Sequence, residues 1–495
     1  MDELIPWWTA AAIPAVVSSK YFGSKERYTA IGTFITYFYD GPLGKPDPRK
    51  KRTDVDAATQ RIMSFTEDQL QRSDNRSLGI DDKGVVDFVW LSFTIFGPSA
   101  GHFIDTYYLI LLASCSVFCL AFFKRHAYLY CLAAFLVVLW LIQPMIRYND
   151  QLTSLLALRC FALVSLPACL HCVIAAIGGR RQTLSWPDRL FWFLQLLVVV
   201  FATHVRITAI WEIAVIGIVC ALAAFSSYRH RQTRTAVVMG FLMLAAFASP
   251  AVLSAYHYLG YSKIYRQPQH IATRPFWHNI YSGLAFNREF AERYRLRIDD
   301  VSVIRATGEY LTEHGRTSEW AAMGGTSDGY SKLRYTAYEA VVREMMFERC
   351  YQHFGNCLAA TFLDRPLATG RFVAWLYGLH ALPPEMDLYI SEDFGDIAKR
   401  QMVDLDRRLR DGEQYAVLWH PGALAFLLTF LLFAASRPAQ EHSDVAYASS
   451  VIATGSLATV IIGYPAPWTI PDVACTLGTL VYCSPSLVIR LLSHR

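Results

Sequence analysis

An α-helix needs about 20 apolar residues to cross the hydrocarbon core of a bilayer, and this chain offers such stretches one after another. His102–Phe123, His126–Ile146, Leu152–Ile177, Leu190–Thr203, Ala209–Ser226 and Thr235–Tyr256 form a first series, and Val417–Ala435, Val445–Gly463 and Asp472–Leu492 a second. A further apolar stretch, Ile5 to Phe22, is long enough to cross if Lys20 snorkels to the headgroups. A length of 495 residues would otherwise suggest two or three soluble domains, but 54% hydrophobic and only 18% charged residues exclude that class. The pattern predicts an all-α polytopic membrane protein of about ten transmembrane helices. A mostly α extracytoplasmic domain is expected before the last three.

Four segments follow from the spacing. Residues 1–101 hold the first span and a polar loop with amphipathic helices, and 102–256 form a helix bundle. Residues 257–415 are a long polar loop with helices expected over Tyr335–Tyr351 and Glu392–Leu409, and 416–495 return to the membrane. Lys124, Arg125, Arg180, Arg181, Arg189, Arg229, Arg231 and Arg234 fall in alternate connections, and Arg437, Arg490 and Arg495 keep the phase. Basic residues favour the cytoplasmic side, so both long loops are expected outside. The basic cluster Lys45, Arg49, Lys50, Lys51 and Arg52 runs against that rule, which weakens for loops of this length; it reads as a solvated or headgroup-facing patch. No motif points to nucleic acid, and no Walker loop for direct ATP use is present.

Of the 11 cysteines, Cys115, Cys119, Cys131, Cys160, Cys169, Cys172 and Cys220 lie in apolar runs and read as small membrane-helix residues. Cys350 and Cys357 sit together in the polar loop. On one unbroken helix their spacing is about 10 Å of rise, too far to bridge, so a disulfide requires Phe354-Gly355-Asn356 to turn.

Ionisable residues at membrane depth are costly and mark candidate sites. Arg147, Arg159, His204, Arg206 and Glu212, together with Asp150, all fall at the outer leaflet in the expected topology. Interhelical ion pairs are the plainer use of such groups. A cationic outer pocket would suit a lipid-linked phosphate, because guanidinium binds phosphate oxygens in pairs. Just beyond a helix end, Arg274, Trp277, His278 and Tyr281 add cationic, aromatic and hydrogen-bonding groups, although aromatics there also serve as an interface belt. The first outer loop supplies carboxylates: Asp40, Asp54, Asp56, Asp81, Asp82 and Asp87. Asp81 and Asp82 could cap the helix that follows them. Held over a membrane cavity, a carboxylate could instead act as general base on an acceptor hydroxyl, and a pair could hold a divalent cation such as Mg2+ or Mn2+.

The layout resembles the GT-C superfamily of integral membrane glycosyltransferases: a short first helix, an acidic outer loop, many spans and a late extracytoplasmic portion. Asp81-Asp82-Lys83-Gly84 followed by Phe96-Gly97 is similar to the first-loop region of bacterial members. Arg274-Pro275-Phe276-Trp277-His278 with Gly283 resembles a segment of bacterial polytopic proteins of this kind. The chain departs from the pattern in lacking an Asp-x-Asp beside the first helix; Asp54-Val55-Asp56 lies well downstream. The resemblance implies transfer of a sugar from a polyprenyl-phosphate donor to a glycan, lipid or protein acceptor, outside a bacterial plasma membrane. One of Asp54, Asp56, Asp81 or Asp82 would be the base. Arg147, Arg159, Arg206, or Arg274 with His278, would stabilise the departing phosphate. Two rivals stand beside it: an O-antigen ligase or polymerase, to which His278-Asn279 past a span is similar, and a transporter or assembly scaffold.

Overall fold

The computed structural model describes residues 4–6, 49–51, 84–97, 99, 102–148, 161–179, 184–260, 276–298, 300–325, 335–376, 427–428, 430, 439–463 and 470–493. Their regular structure is helical except for one three-residue antiparallel pairing, Leu4–Pro6 with Arg49–Lys51. Among the described residues, six helical segments are long and apolar enough to cross a bilayer: His102–Phe122, Ala162–Gly179, Trp186–Val205, Ile207–Arg229, Thr233–Tyr256 and Glu441–Ile462. The chain is therefore a multi-pass membrane protein. His126–Leu141 and Asp472–Cys483 are shorter apolar helical stretches. Beyond Pro6 the expected first span lies outside the described residues, as do nearly all of Val417–Ala435, the helix Glu392–Leu409 and residues 152–160.

The bundle is built from α1 (Gly84–Phe96), α2 (His102–Phe122), α3 (His126–Tyr148), α4 (Ala162–Gly179), α5 (Trp186–Val205), α6 (Ile210–Arg229) and α7 (Thr233–Gly260). Helices α8 to α14 follow in the long loop, and α15 (Ala439–Ile462) and α16 (Ile470–Ser493) rejoin the bundle. Sequence explains the turns. Ser185 caps α5, its hydroxyl accepting from Asp188 N while an Asp188 oxygen accepts from Ser185 N at 3.1 Å, and Pro187 fits the first turn. At the other end Arg206 is extended, and a 3-10 turn over Ile207–Ala209 starts α6 at once. Arg231 adopts a left-handed conformation (φ 60°) in the reversal before α7.

Helix α4 is the hub. It packs against α2, α5, α6, α15 and α16, and 94% of its apolar window is buried inside the protein. The ring around it is two-faced. Leu112, Leu120, Leu197, Leu222, Phe225, Phe241 and Leu244 point outward and exposed, the expected face toward lipid. Inward, small residues let helices close: Gly455 of α15 sits on Val215 and Trp211 of α6. Polar groups pair across helices. Gln195 donates to Ser114 O (2.8 Å) and accepts from its hydroxyl (3.0 Å), Trp192 Nε1 donates to Cys172 O (3.3 Å), and Tyr128 donates to Asp444 (3.0 Å).

A second apolar core lies in the loop. It combines α8 (Phe276–Ser282), α9 (Arg288–Tyr294), α10 (Asp300–Glu313), α11 (Thr317–Ala322), α12 (Tyr335–Gln352), α13 (Phe354–Ala359) and α14 (Arg365–Leu376). Tyr281, Phe290, Tyr338, Met345 and Phe372 are buried there with Val460 of α15 and Val473 and Ala474 of α16, so this core is continuous with the membrane helices. Arg349 is buried beside the Tyr281 hydroxyl and over the Tyr294 ring, 4.2 Å from its centroid. The helix breaks at His353, one residue ahead of the stretch where a turn was required. That brings Cys350 and Cys357 to a Cα separation of 5.6 Å, and they form a disulfide.

One side chain joins the two parts. Arg365, at the start of α14, is fully buried. Its Nε donates to Gly283 O (2.8 Å), Nη2 to Ile280 O (3.0 Å) and Nη1 to Ile461 O (2.8 Å), with Ile462 O at 3.4 Å. The last two are end carbonyls of α15, which have no partner within their own helix. Burial pulls the Arg365 pKa down to about 10, still far enough up to keep the charge. Arg365→Ala removes these bonds and leaves a hole. The expected loss is about 3 kcal/mol, read as a lower midpoint in thermal unfolding of the full chain in detergent. Arg365→Lys should restore only part of it, since an ammonium lacks the planar fork; an unchanged midpoint in both variants rejects the clamp.

The loop surface carries acid-sensitive contacts. The Tyr310 hydroxyl donates to Glu348 at 2.7 Å and pulls that carboxyl below its ordinary 4.5. Bonds from Arg316 do the same to Glu319. A depressed carboxyl stabilises the fold above its unfolded value and loses that contribution as pH falls through the folded one. The melting temperature should therefore drop as pH falls below 4.5, and Glu348→Gln should flatten part of that drop in circular-dichroism melts.

Candidate functional site

Three helices meet where α5 ends. The first residue of α1 is Gly84, and a Cβ there would lie 2.0 Å from the carbonyl oxygen of His204, so only glycine allows this approach. The contact sets Asp87, one turn further along α1, against the last turn of α5. Asp87 Oδ2 lies 2.6 Å from His204 Nε2, and Asp87 Oδ1 accepts from the Tyr256 hydroxyl of α7 at 3.4 Å. The His204 ring packs edge-on to Tyr256, with centroids 5.8 Å apart, and against Phe201. Both Asp87 and His204 are more than nine-tenths buried, as is Arg206 two residues on. An acid, an imidazole and a phenol thus share one junction at the end of a membrane span, and a buried arginine follows it in the chain.

The other sequence candidates are placed as follows. Glu212 is wholly buried on α6, in the bundle interior. Trp277 and His278 open α8, where Glu339 of α12 accepts from their backbone N–H groups at 2.7 and 3.1 Å. His278 Nδ1 is 2.7 Å from the Tyr338 hydroxyl. The Tyr281 hydroxyl meets Arg349, and burial pushes its pKa up to about 12. Trp277, His278 and Tyr281 therefore anchor the loop core. Asp54, Asp56, Asp81, Asp82, Arg159 and Arg274 lie outside the described residues, and Arg147 is described only as backbone in α3.

Among the described residues, no group of three or more His, Cys, Asp or Glu side chains gathers as a metal site. The junction's chemistry is that of a positioned base. If Nε2 carries its proton toward the Asp87 carboxylate, the neutral ring keeps its lone pair on Nδ1, and the carboxylate steadies the ring when it becomes cationic. In the sequence Asp87 is one of several acids ahead of the first long span. What distinguishes it is its place one turn inside a helix that begins with Gly84, and its partner lies 117 residues away.

Comparison with known proteins brings no match: no family model, no curated protein and no solved structure aligns with the chain.

Gly84→Ala should force α1 away from α5 and cost about 1–3 kcal/mol, measured as a reduced unfolding midpoint in detergent. Retention of the wild-type midpoint would mean that the backbone approach at His204 is not a constraint.

Proposed function

We propose that the protein is an integral membrane glycosyltransferase of GT-C type. It moves a sugar from a polyprenyl-phosphate donor to a hydroxyl of a glycan, lipid or protein acceptor on the outer side of a bacterial plasma membrane. The observation that carries this reading is the buried Asp87–His204 pair, 2.6 Å apart at the end of a span, with buried Arg206 two residues further along the chain. In this scheme His204 takes the proton of the acceptor hydroxyl, whose oxygen attacks the anomeric carbon. The bond from that carbon to the phosphate oxygen breaks, and its electron pair stays on the phosphate. A guanidinium held in a water-poor site stabilises the developing charge, a large term in such reactions. A single displacement inverts the anomeric centre. Asp54, Asp56, Asp81 and Asp82 keep their place as alternative bases or as ligands of a divalent cation, and Arg147, Arg159 and Arg274 as further phosphate partners.

A ligase or polymerase acting on lipid-linked glycans shares the donor and the leaving group. The histidine at the centre of the junction favours it. Dependence on the four first-loop aspartates separates the two readings, because the ligase does not need them.

The test is retention of a polyprenyl phosphate by the full chain in lipid nanodiscs, followed by native mass spectrometry. Arg206→Ala should weaken retention about tenfold, while Asp87→Asn should retain the lipid and lose turnover of a radiolabelled polyprenyl-phosphate sugar. Equal retention by wild type and Arg206→Ala would reject the phosphate site.

A further inference from the structure

The long loop is polar on one side only. On α9 and α10 its exposed surface carries Arg288, Glu289, Glu292, Arg305, Glu309 and Glu313. Some of these pair one turn apart, Arg288 with Glu292 at 2.7 Å and Arg305 with Glu309 at 4.0 Å. That is the surface of a domain in water. The stretch from α13 into α14 reverses it. Its exposed large side chains are Phe354, Leu358, Phe362, Leu363 and Leu367, and none of the exposed residues between Phe354 and Gly370 is charged. The charges of this stretch are turned to the protein: Asp364 accepts from Asn287 at 3.0 Å, and Arg365 is wholly buried. A large apolar face of this kind is uncommon where a folded protein meets water.

Spacing explains how an irregular segment makes one face. Phe354, Leu358 and Phe362 follow at intervals of four residues, and so do Leu363 and Leu367. The one-residue slip between the two rows falls in Ala360–Asp364, a π-helical turn whose wider winding takes up the extra residue. In a regular α-helix the second row would rotate away from the first by about 100°.

The height of the face is fixed as well. Arg365 lies between the two rows' ends and holds the carbonyls of Ile461 and Ile462, where the span Glu441–Ile462 ends. The loop core continues past that end. Val460 of α15 is buried in it and Leu457 packs against it, as do Val473, Ala474 and Leu477 of α16. Leu457 lies about 7 Å of helix below the end of the span, so the loop stands beside the last turns of a membrane helix rather than above them. Helix α14 packs on both α15 and α16, and Ile462 is itself exposed. The apolar outer surface of the span therefore continues onto the loop. Amphipathic helices that lie in a bilayer surface sink their apolar side by about 5–10 Å, which matches this depth.

We propose that the Phe354–Leu367 face of the long loop is seated in the bilayer, with its five large apolar side chains among lipid acyl chains just below the headgroups. Lipid is its occupant, and the charged α9–α10 side faces water. The inference rests on the fold and holds or fails independently of the glycosyl-transfer reading.

The test places the photoreactive residue p-benzoylphenylalanine at Phe354, at Phe362 and, as a control, at Glu309, in the full chain held in nanodiscs of phosphatidylcholine and phosphatidylglycerol. On illumination the benzophenone ketone adds across a neighbouring C–H bond, and intact mass with peptide mapping identifies what each position has captured. Phe354 and Phe362 should each gain the mass of one phospholipid, at about tenfold the yield found at Glu309. At both positions an exposed ring replaces an exposed ring, and the use of two keeps one misfolded variant from deciding the result. Lipid capture no greater than at Glu309 overturns the proposal. Capture of a second copy, or of another segment of the same chain, in place of lipid overturns it in favour of a protein contact.

Discussion

A hydrocarbon slab offers no water to a polar atom, so whatever polarity a spanning chain contains must be resolved inside the protein. That constraint orders this structure. The exposed surfaces of the spans are mainly apolar, with leucine and phenylalanine prominent, and polar groups such as Ser114, Gln195, Ser456 and Thr476 are buried between helices. The same demand operates at helix ends. The last carbonyls of α15 are met by the Arg365 guanidinium, and the start of α8 by the Glu339 carboxylate. Loop and bundle are thus joined through backbone groups that would otherwise be stranded near the membrane surface.

Hydropathy was the legible part of the sequence. Six of the expected spans emerge as helices of spanning length, and α12 falls within a residue of its expected bounds, because apolar length and periodicity are local properties. Long-range pairings were not legible. The Asp87–His204 contact joins residues 117 apart, and Arg365 reaches carbonyls 96 residues away. Neither distance leaves a mark on composition. Residues chosen for their chemistry, such as His278 and Tyr281, proved to be buried in the loop core. An aromatic or imidazole group at a helix end serves anchoring as readily as recognition. The disulfide was legible only as a condition on chain geometry, and a one-residue break in the helix met it.

The two polar centres differ in kind. At the α1–α5 junction an acid, an imidazole and a phenol from three helices meet at hydrogen-bond distance. Glu212 instead lies wholly buried in the bundle interior on α6. Both lie against the same hub helix or its immediate neighbour, so a small shift of α5 or α6 would be felt at each.

The Arg365 clamp has a consequence for how the molecule is made. Its acceptors come from residues 280–283 and from 461–462, while the guanidinium sits between them in the chain. During ribosomal synthesis the long loop emerges well before the penultimate helix, so its core must wait, partly assembled, for α15 to enter the bilayer and present its carbonyls. Completion of the long loop therefore reports on successful insertion of a late membrane segment, and the loop core stays open until that segment arrives.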